Sequence, residues 1–180
     1  MKHKILVVTG SPRKMGNTDL LADAFSQGAE AAGNEVFRFE VGRAQIHGCL
    51  DCKFCFANEG RCQQADDMQE AYPHLRECDI LVFASPIYFF TLSAQIKAFI
   101  DRLFCGVAKP FAVKSTVLLT VQEDKDPAVA NNAVNTYKSI INYAGWENLG
   151  VVSVPGVFEK GAVAGSDKLE EARELGASIK

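Results

Sequence analysis

Two rhythms of apolar residues alternate along the chain. Short strand-like runs occupy Ile5–Thr9, Glu35–Val41, Ile80–Ala84, Thr116–Val121 and Leu149–Val154. Helical spacing fills the stretches between them: Asp19–Ala32, Asp66–Cys78, Ser93–Phe104, Ala128–Ala144 and a last helix from Asp167 onward. In the second of these, Met68, Ala71 and Leu75 share an inner side, and Asp66 is placed to cap it. Pro73 interrupts that helix and predicts a kink or an early break. Ile96, Phe99, Ile100 and Leu103 repeat at helical spacing in the third. Five strands, each followed by a helix, predict a doubly wound α/β fold: a five-stranded parallel sheet with helices on both faces. No repeat or linker breaks the pattern, so residues 1–180 read as one domain with an irregular insert at about 42–65.

In such a sheet, ligands bind at the carboxyl ends of the strands, where the winding reverses. That rule selects the turns after the first, third and fourth strands: Ser11–Thr18, Ser85–Thr91 and Gln122–Asp126. The first reads Gly10-Ser-Pro-Arg-Lys-Met-Gly-Asn-Thr18 between a buried strand and a helix start. Free N–H groups of a first helical turn, aided by the helix dipole, favour an anion there. Ser11, Asn17 and Thr18 add side-chain donors, and Arg13 adds a cation suited to phosphate oxygens. The Walker pattern is absent, because Lys14 precedes Met15, and so is Gly-x-Gly-x-x-Gly. A terminal phosphomonoester fits what remains. The second turn, Ser85-Pro-Ile-Tyr-Phe-Phe-Thr91, stiffens the backbone with Pro86 and presents three aromatic rings, which suits a flat heteroaromatic ligand.

Composition narrows the class further. Of 180 residues, 48% are apolar and 23% charged, as in ordinary globular proteins. Nineteen basic and twenty-two acidic residues give a net charge of -3, and no basic block points to nucleic acid or a membrane surface. The chain enters a strand at once and holds no apolar run long enough to span a bilayer, so the expected location is cytoplasmic. Six cysteines in that compartment are weighed as ligands or redox groups rather than stable disulfides. Four of them, Cys49-x-x-Cys52-x-x-Cys55 and Cys62, lie within the insert. Thiols so closely spaced suit an iron–sulfur cluster, zinc, or reduced redox-active thiols, and spacing leaves the three open. His47 reads as a surface residue, and Cys78 and Cys105 as packing residues.

Taken together, Gly-Ser-Pro-Arg with Gly-Asn-Thr, the Cys-rich insert, Asp66-Asp-Met68, Ser85-Pro-Ile-Tyr88 and Lys97-x-x-x-Asp101-Arg102 resemble the flavodoxin-like NAD(P)H-dependent FMN reductases. The resemblance covers roughly Ile5 to Phe104. It implies that Ser11, Arg13, Asn17 and Thr18 hold the FMN phosphate and that Ser85, Pro86, Ile87, Tyr88 and Phe89 form the ring side. The fourth-strand loop, Thr120-Val-Gln-Glu-Asp124, departs from the Gly-rich version of many relatives, with Gln122 as its ring contact. The cysteine spacing resembles that of the iron–sulfur flavoproteins, a branch of this fold with a [4Fe-4S] cluster beside FMN. Two activities follow as expectations. One is an FMN-dependent oxidoreductase that takes hydride from NAD(P)H and reduces a quinone, a nitro or azo compound, or another flavin. The other is an electron carrier between a ferredoxin-like donor and FMN, with the cluster on Cys49, Cys52, Cys55 and Cys62. Hydride transfer needs no side-chain acid or base, so no catalytic residue is assigned. Large aromatics beside an open ring face imply a homodimer or homotetramer.

Overall fold

A computed structural model describes residues 2–180. Its sheet holds five parallel strands, β1 (Lys4–Thr9), β2 (Glu35–Phe39), β3 (Ile80–Tyr88), β5 (Ser115–Val121) and β6 (Glu147–Val154), in the order β2-β1-β3-β5-β6. A two-residue strand, β4 (Thr91–Leu92), folds back antiparallel on the end of β3. The helices are α1 (Asn17–Ala31), α2 (Phe54–Ala57), α3 (Met68–Glu77), α4 (Ala94–Arg102), α5 (Cys105–Ala108), α6 (Asn131–Ala144) and α7 (Lys168–Ala177). The winding reverses between β1 and β3, which places the ligand crevice at their carboxyl ends.

Successive side chains of a strand point to opposite faces, so each central strand feeds two cores. Leu6, Val8, Leu81, Phe83 and Leu118 meet α3, α4 and α6 on one side. Ile5, Val7, Val82 and Leu119 meet α1 and α7 on the other. The edge strand β2 is only half covered, and its Phe37 ring stacks on His74 of α3 at 3.4 Å between centroids. On the second face α1 and α7 approach backbone to backbone at two glycines. A Cβ at Gly28 would overlap the Arg173 carbonyl, and one at Gly176 would overlap that of Phe25. Gly176→Val is therefore expected to destabilise the fold by about 2 kcal/mol or more through overpacking. Urea unfolding checks it, and a loss below about 0.5 kcal/mol would show that the helices separate freely.

Three expectations change. The Asp66–Cys78 helix is shorter, at Met68–Glu77, and it runs through Pro73 without a break. Proline removes one N–H there, but the surrounding turns stay packed by the buried Ala71 and Leu75. The third strand does not stop at Ala84 but continues to Tyr88, because Ser85 and Pro86 still pair with Thr120 and Val121 of β5. The second strand ends at Phe39 rather than Val41, where the chain turns and Gly42 donates to the Thr9 carbonyl at 2.8 Å. Cys78 and Cys105 are buried, as packing residues should be, and burial pushes the Cys78 thiol up to about 12.

Candidate functional site

The turn between β1 and α1 is shaped by its own hydrogen bonds. Arg13 N–H donates to Ser11 Oγ at 3.2 Å, and Gly16 N–H to the Arg13 carbonyl at 3.3 Å. Met15, at φ 56°, donates its N–H to Asp19 Oδ2 at 2.8 Å. Gly16 caps α1 in an extended conformation with no side-chain cap. The N–H groups of Lys14, Asn17 and Thr18 have no acceptor among the described residues. These free donors, the N-terminal dipole and the Ser11 and Thr18 hydroxyls form an anion cradle. Asp19 would repel an anion, but it is buried against Arg38 at 2.8 Å and Arg43 at 3.5 Å. Its charge is already matched.

Opposite the cradle, β3 delivers Pro86, Ile87 and Tyr88. Ser85 does not line the cleft: its buried hydroxyl accepts the Ser93 N–H at 3.0 Å and donates to the Pro86 carbonyl at 2.8 Å. Ser93 in turn donates to the Gly10 carbonyl at 2.8 Å and caps α4 by accepting from Ile96 N–H. Both serines therefore fix the crevice from behind. Phe89 also stands outside the cleft, at the tip of the β3–β4 hairpin and 95% exposed. Phe89 and Phe90 have φ of 48° and 69°, and their rings meet edge to face at 5.9 Å. Two-residue turns with both φ values positive favour Asn-Gly, and a bulky residue there costs about 1 kcal/mol. Phe90→Gly is expected to raise stability by about 1 kcal/mol in thermal unfolding of the purified chain. A lowered melting temperature would mean the exposed ring has a packing role.

The third wall is Gln122, which is buried. Its Nε2 donates to the carbonyls of Asp126 at 2.6 Å and Asp124 at 3.2 Å, while its Oε1 has no partner. A fourth wall was not foreseen: Val157 and Phe158, after β6. Val157 N–H donates to the Gln122 carbonyl at 2.9 Å. Arg13 Nη1 donates to the Phe158 carbonyl at 3.1 Å, with its guanidinium 5.7 Å from that ring centre. Asn17 spends its side chain here too, donating to the Glu159 carbonyl at 2.9 Å and accepting from Val163 N–H at 3.3 Å. Its side-chain amide holds this wall, and only its backbone N–H remains free.

One cleft thus gathers Ser11, Arg13, Asn17 and Thr18 at one end, and Pro86, Ile87, Tyr88 and Gln122 towards the other. A group with an anionic end and a donor-bearing flat end meets free amides at the first and an orphaned buried acceptor at the second. FMN has that form. The enclosed part is about 120 Å³, below the roughly 300 Å³ usual for ligand sites. The rest of a nucleotide would lie against the exposed Tyr88 and Phe158 rings.

The insert forms a second feature. Cys49, Cys52, Cys55 and Cys62 all line one small cavity, beside Arg102 and Phe104. Burial raises the Cys55 thiol, and the neighbouring Cys49, Cys62 and Cys52 raise it further. Among the described residues, however, no three His, Cys, Asp or Glu side chains stand close enough together to hold a metal ion. The insert is tied down by Asp66 and Asp67, which accept from the N–H groups of His47 at 3.0 Å and Gln45 at 2.7 Å. Asp66 is paired with Arg102, at 2.6 Å and 3.1 Å. Lys97 and Asp101 pair one turn earlier on the exposed side of α4. Arg102 lies nine positions after Ser93, about 13 Å along the axis of α4. Cradle and cysteine cavity therefore sit at opposite ends of one helix.

A doubly wound sheet with an anion cradle at its switch point is the arrangement of flavodoxin-like proteins. The chain belongs to the NADPH-dependent FMN reductase family, whose pattern it matches over residues 3–157. It is 31% identical over 181 residues to an iron–sulfur flavoprotein of Archaeoglobus fulgidus, covering 98% of this chain and 78% of that one. It is 27% identical over 157 residues to a Bacillus subtilis protein named as an NAD(P)H-dependent FMN-containing oxidoreductase, covering 83% of each. An NAD(P)H:quinone oxidoreductase from Methanothermobacter marburgensis superposes with a TM-score of 0.79 at 16% identity, over 100% of this chain and 97% of that one. Other archaeal iron–sulfur flavoproteins match over part of their length only, the alignments spanning 48–59% of them. Among the described residues no helix is long and apolar enough to cross a membrane.

Proposed function

We propose that this protein binds FMN in the cleft and works as an NAD(P)H oxidoreductase that delivers electrons to a small acceptor such as a quinone, a nitro or azo compound, or another flavin. Bound FMN supplies the chemistry, accepting hydride and passing electrons on. The chain's own residues bind and orient it. Free N–H groups of Lys14, Asn17 and Thr18, with the Ser11 and Thr18 hydroxyls, take the phosphate. Arg13 adds its charge, and Gln122 Oε1 accepts from the ring edge. Pro86 and Ile87 back the ring, and Tyr88, 40% exposed, leaves a face open to nicotinamide and acceptor. The observation that carries this reading is the pairing of an unsatisfied amide cradle with an orphaned buried acceptor in one cleft. The test is anaerobic titration of the flavin-loaded protein with NADH and NADPH. Stoichiometric bleaching of the flavin band supports the reading, and no bleaching by either nicotinamide refutes it. The exposed Tyr88-Phe89-Phe90 tip at the mouth of the cleft supports a homodimer or homotetramer, in which a second copy covers these rings.

A second reading has its own support: four thiols on one cavity, of the soft type and number that hold iron–sulfur clusters. In it, Cys49, Cys52, Cys55 and Cys62 would carry a [4Fe-4S] cluster, and the protein would move single electrons between a ferredoxin-like donor and FMN. Cys49 and Cys52 are exposed, so the cavity can be loaded from solvent. Iron and sulfide analysis of anaerobically purified protein separates the readings. Near four of each per chain supports the carrier; their absence, or zinc instead, removes it. Cys52→Ala is expected to abolish brown colour while FMN stays bound, since the two sites lie at opposite ends of α4. Loss of both together would contradict that separation.

A further inference from the structure

We infer that Arg102 is the counter-cation of the cysteine cavity and sets the reduction potential of the group its thiolates hold. This rests on the cluster reading above. Arg102 ends α4 and is 1% exposed, a position where an apolar side chain would pack without desolvating a charge. Its terminal nitrogens are engaged: Nη1 with Asp66 at 2.6 Å and the His47 carbonyl at 3.0 Å, Nη2 with Asp66 at 3.1 Å. Its Nε has no partner, although a buried N–H without an acceptor is rare.

That unpaired donor belongs to a side chain lining the same cavity as Cys49, Cys52, Cys55 and Cys62. Asp66, which balances Arg102, does not line it, so the cavity meets the positive member of the pair. The other cation there, Lys53, is exposed and already paired with Asp51. Neutral thiols are weak acceptors and give a buried guanidinium little return. Thiolates and the sulfides of a cluster carry negative charge, and potentials of such clusters follow net charge and hydrogen bonds to sulfur. A fixed positive charge favours the more negative, reduced state. Tyr72 O–H and Cys105 S–H both donate to the Arg102 carbonyl, at 3.3 Å and 3.1 Å, and fix the backbone from which the side chain projects.

The test compares anaerobically purified full-length protein with three variants. Iron and sulfide are counted per chain, and the cluster midpoint is read by electron paramagnetic resonance in a mediated redox titration. In Arg102→Gln combined with Asp66→Asn, both charges vanish but polar contacts remain. The expected result is wild-type iron content and a reduced-to-oxidised ratio about tenfold lower at the wild-type midpoint, about 59 mV for one electron. Asp66→Asn alone unmasks the cation and is expected to move the ratio the opposite way, which keeps the inference testable should the double variant not fold. Arg102→Lys keeps the charge and should stay nearer the wild-type midpoint than the double variant does. An unchanged midpoint in the double variant, a fall in Asp66→Asn, or a Lys variant shifted as far as the double one would overturn the role of Arg102. Wild-type protein without iron would instead remove the cluster reading, and the role of Arg102 with it.

Discussion

Asp66→Ala is expected to cost about 3–5 kcal/mol, the usual penalty for leaving one member of a buried ion pair without its partner. Arg102 would keep a charge with almost no access to water. The same truncation strips the acceptor from His47 N–H at 3.0 Å and Met68 N–H at 3.2 Å, so the insert and the start of α3 loosen together. Against a typical total of about 5–15 kcal/mol, that is a large share. Urea unfolding of the variant measures it, and a loss below about 1 kcal/mol would mean that water reaches Arg102.

The same pair has a pH signature. Burial pushes the Asp66 carboxyl up, but its bond to Arg102 and the His47 and Met68 N–H groups outweigh burial and hold it below its ordinary 3.8. A carboxylate depressed in the folded state stabilises fully above the unfolded value and loses its contribution as pH falls through the folded one. The stability gap between wild type and Asp66→Ala should therefore be widest near neutrality and narrow in acid below about pH 4. A gap that stays constant from pH 7 to pH 3 would show that the pair does not titrate as a unit.

Arg13→Glu is the second large effect. A charge-assisted bond to phosphate contributes about 1.5–3 kcal/mol, and the substitution replaces attraction with repulsion. FMN affinity should fall at least about a hundredfold, about 2.7 kcal/mol, whereas riboflavin, with no phosphate, should bind within about threefold of wild type. Arg13 is exposed, so the fold should tolerate the change. Flavin fluorescence quenching reads both affinities. Parallel loss for the two flavins would mean that Arg13 acts by holding the Phe158 wall rather than by meeting the phosphate.

Much of the frame was legible because the central strands are buried on both faces and so appear as short apolar runs. Ile5–Thr9 and Ile80–Ala84 are found where the pattern puts them, as are the free amides at Asn17 and Thr18. The extension of β3 to Tyr88 was hidden by Pro86 and by a hairpin that turns on Phe89-Phe90, since positive φ is normally announced by glycine or asparagine. The wall at Val157 and Phe158 was hidden for a different reason: it works through backbone groups and shape, which carry no residue signature. Its one clue was position, after the fifth strand at the same sheet edge. Asp66 reads from the sequence as a helix cap and Arg102 as part of a family motif, but a bond across 36 positions leaves no periodic trace. Ser85 illustrates the converse: a motif residue whose buried hydroxyl holds the scaffold rather than the ligand.

The claim that the cleft is built for a phosphorylated flavin is tested most directly by measuring the affinities of wild-type protein for FMN and riboflavin side by side. The cradle predicts FMN binding at least about a hundredfold tighter, since its donors have nothing else to serve. Equal affinities for the two would contradict it.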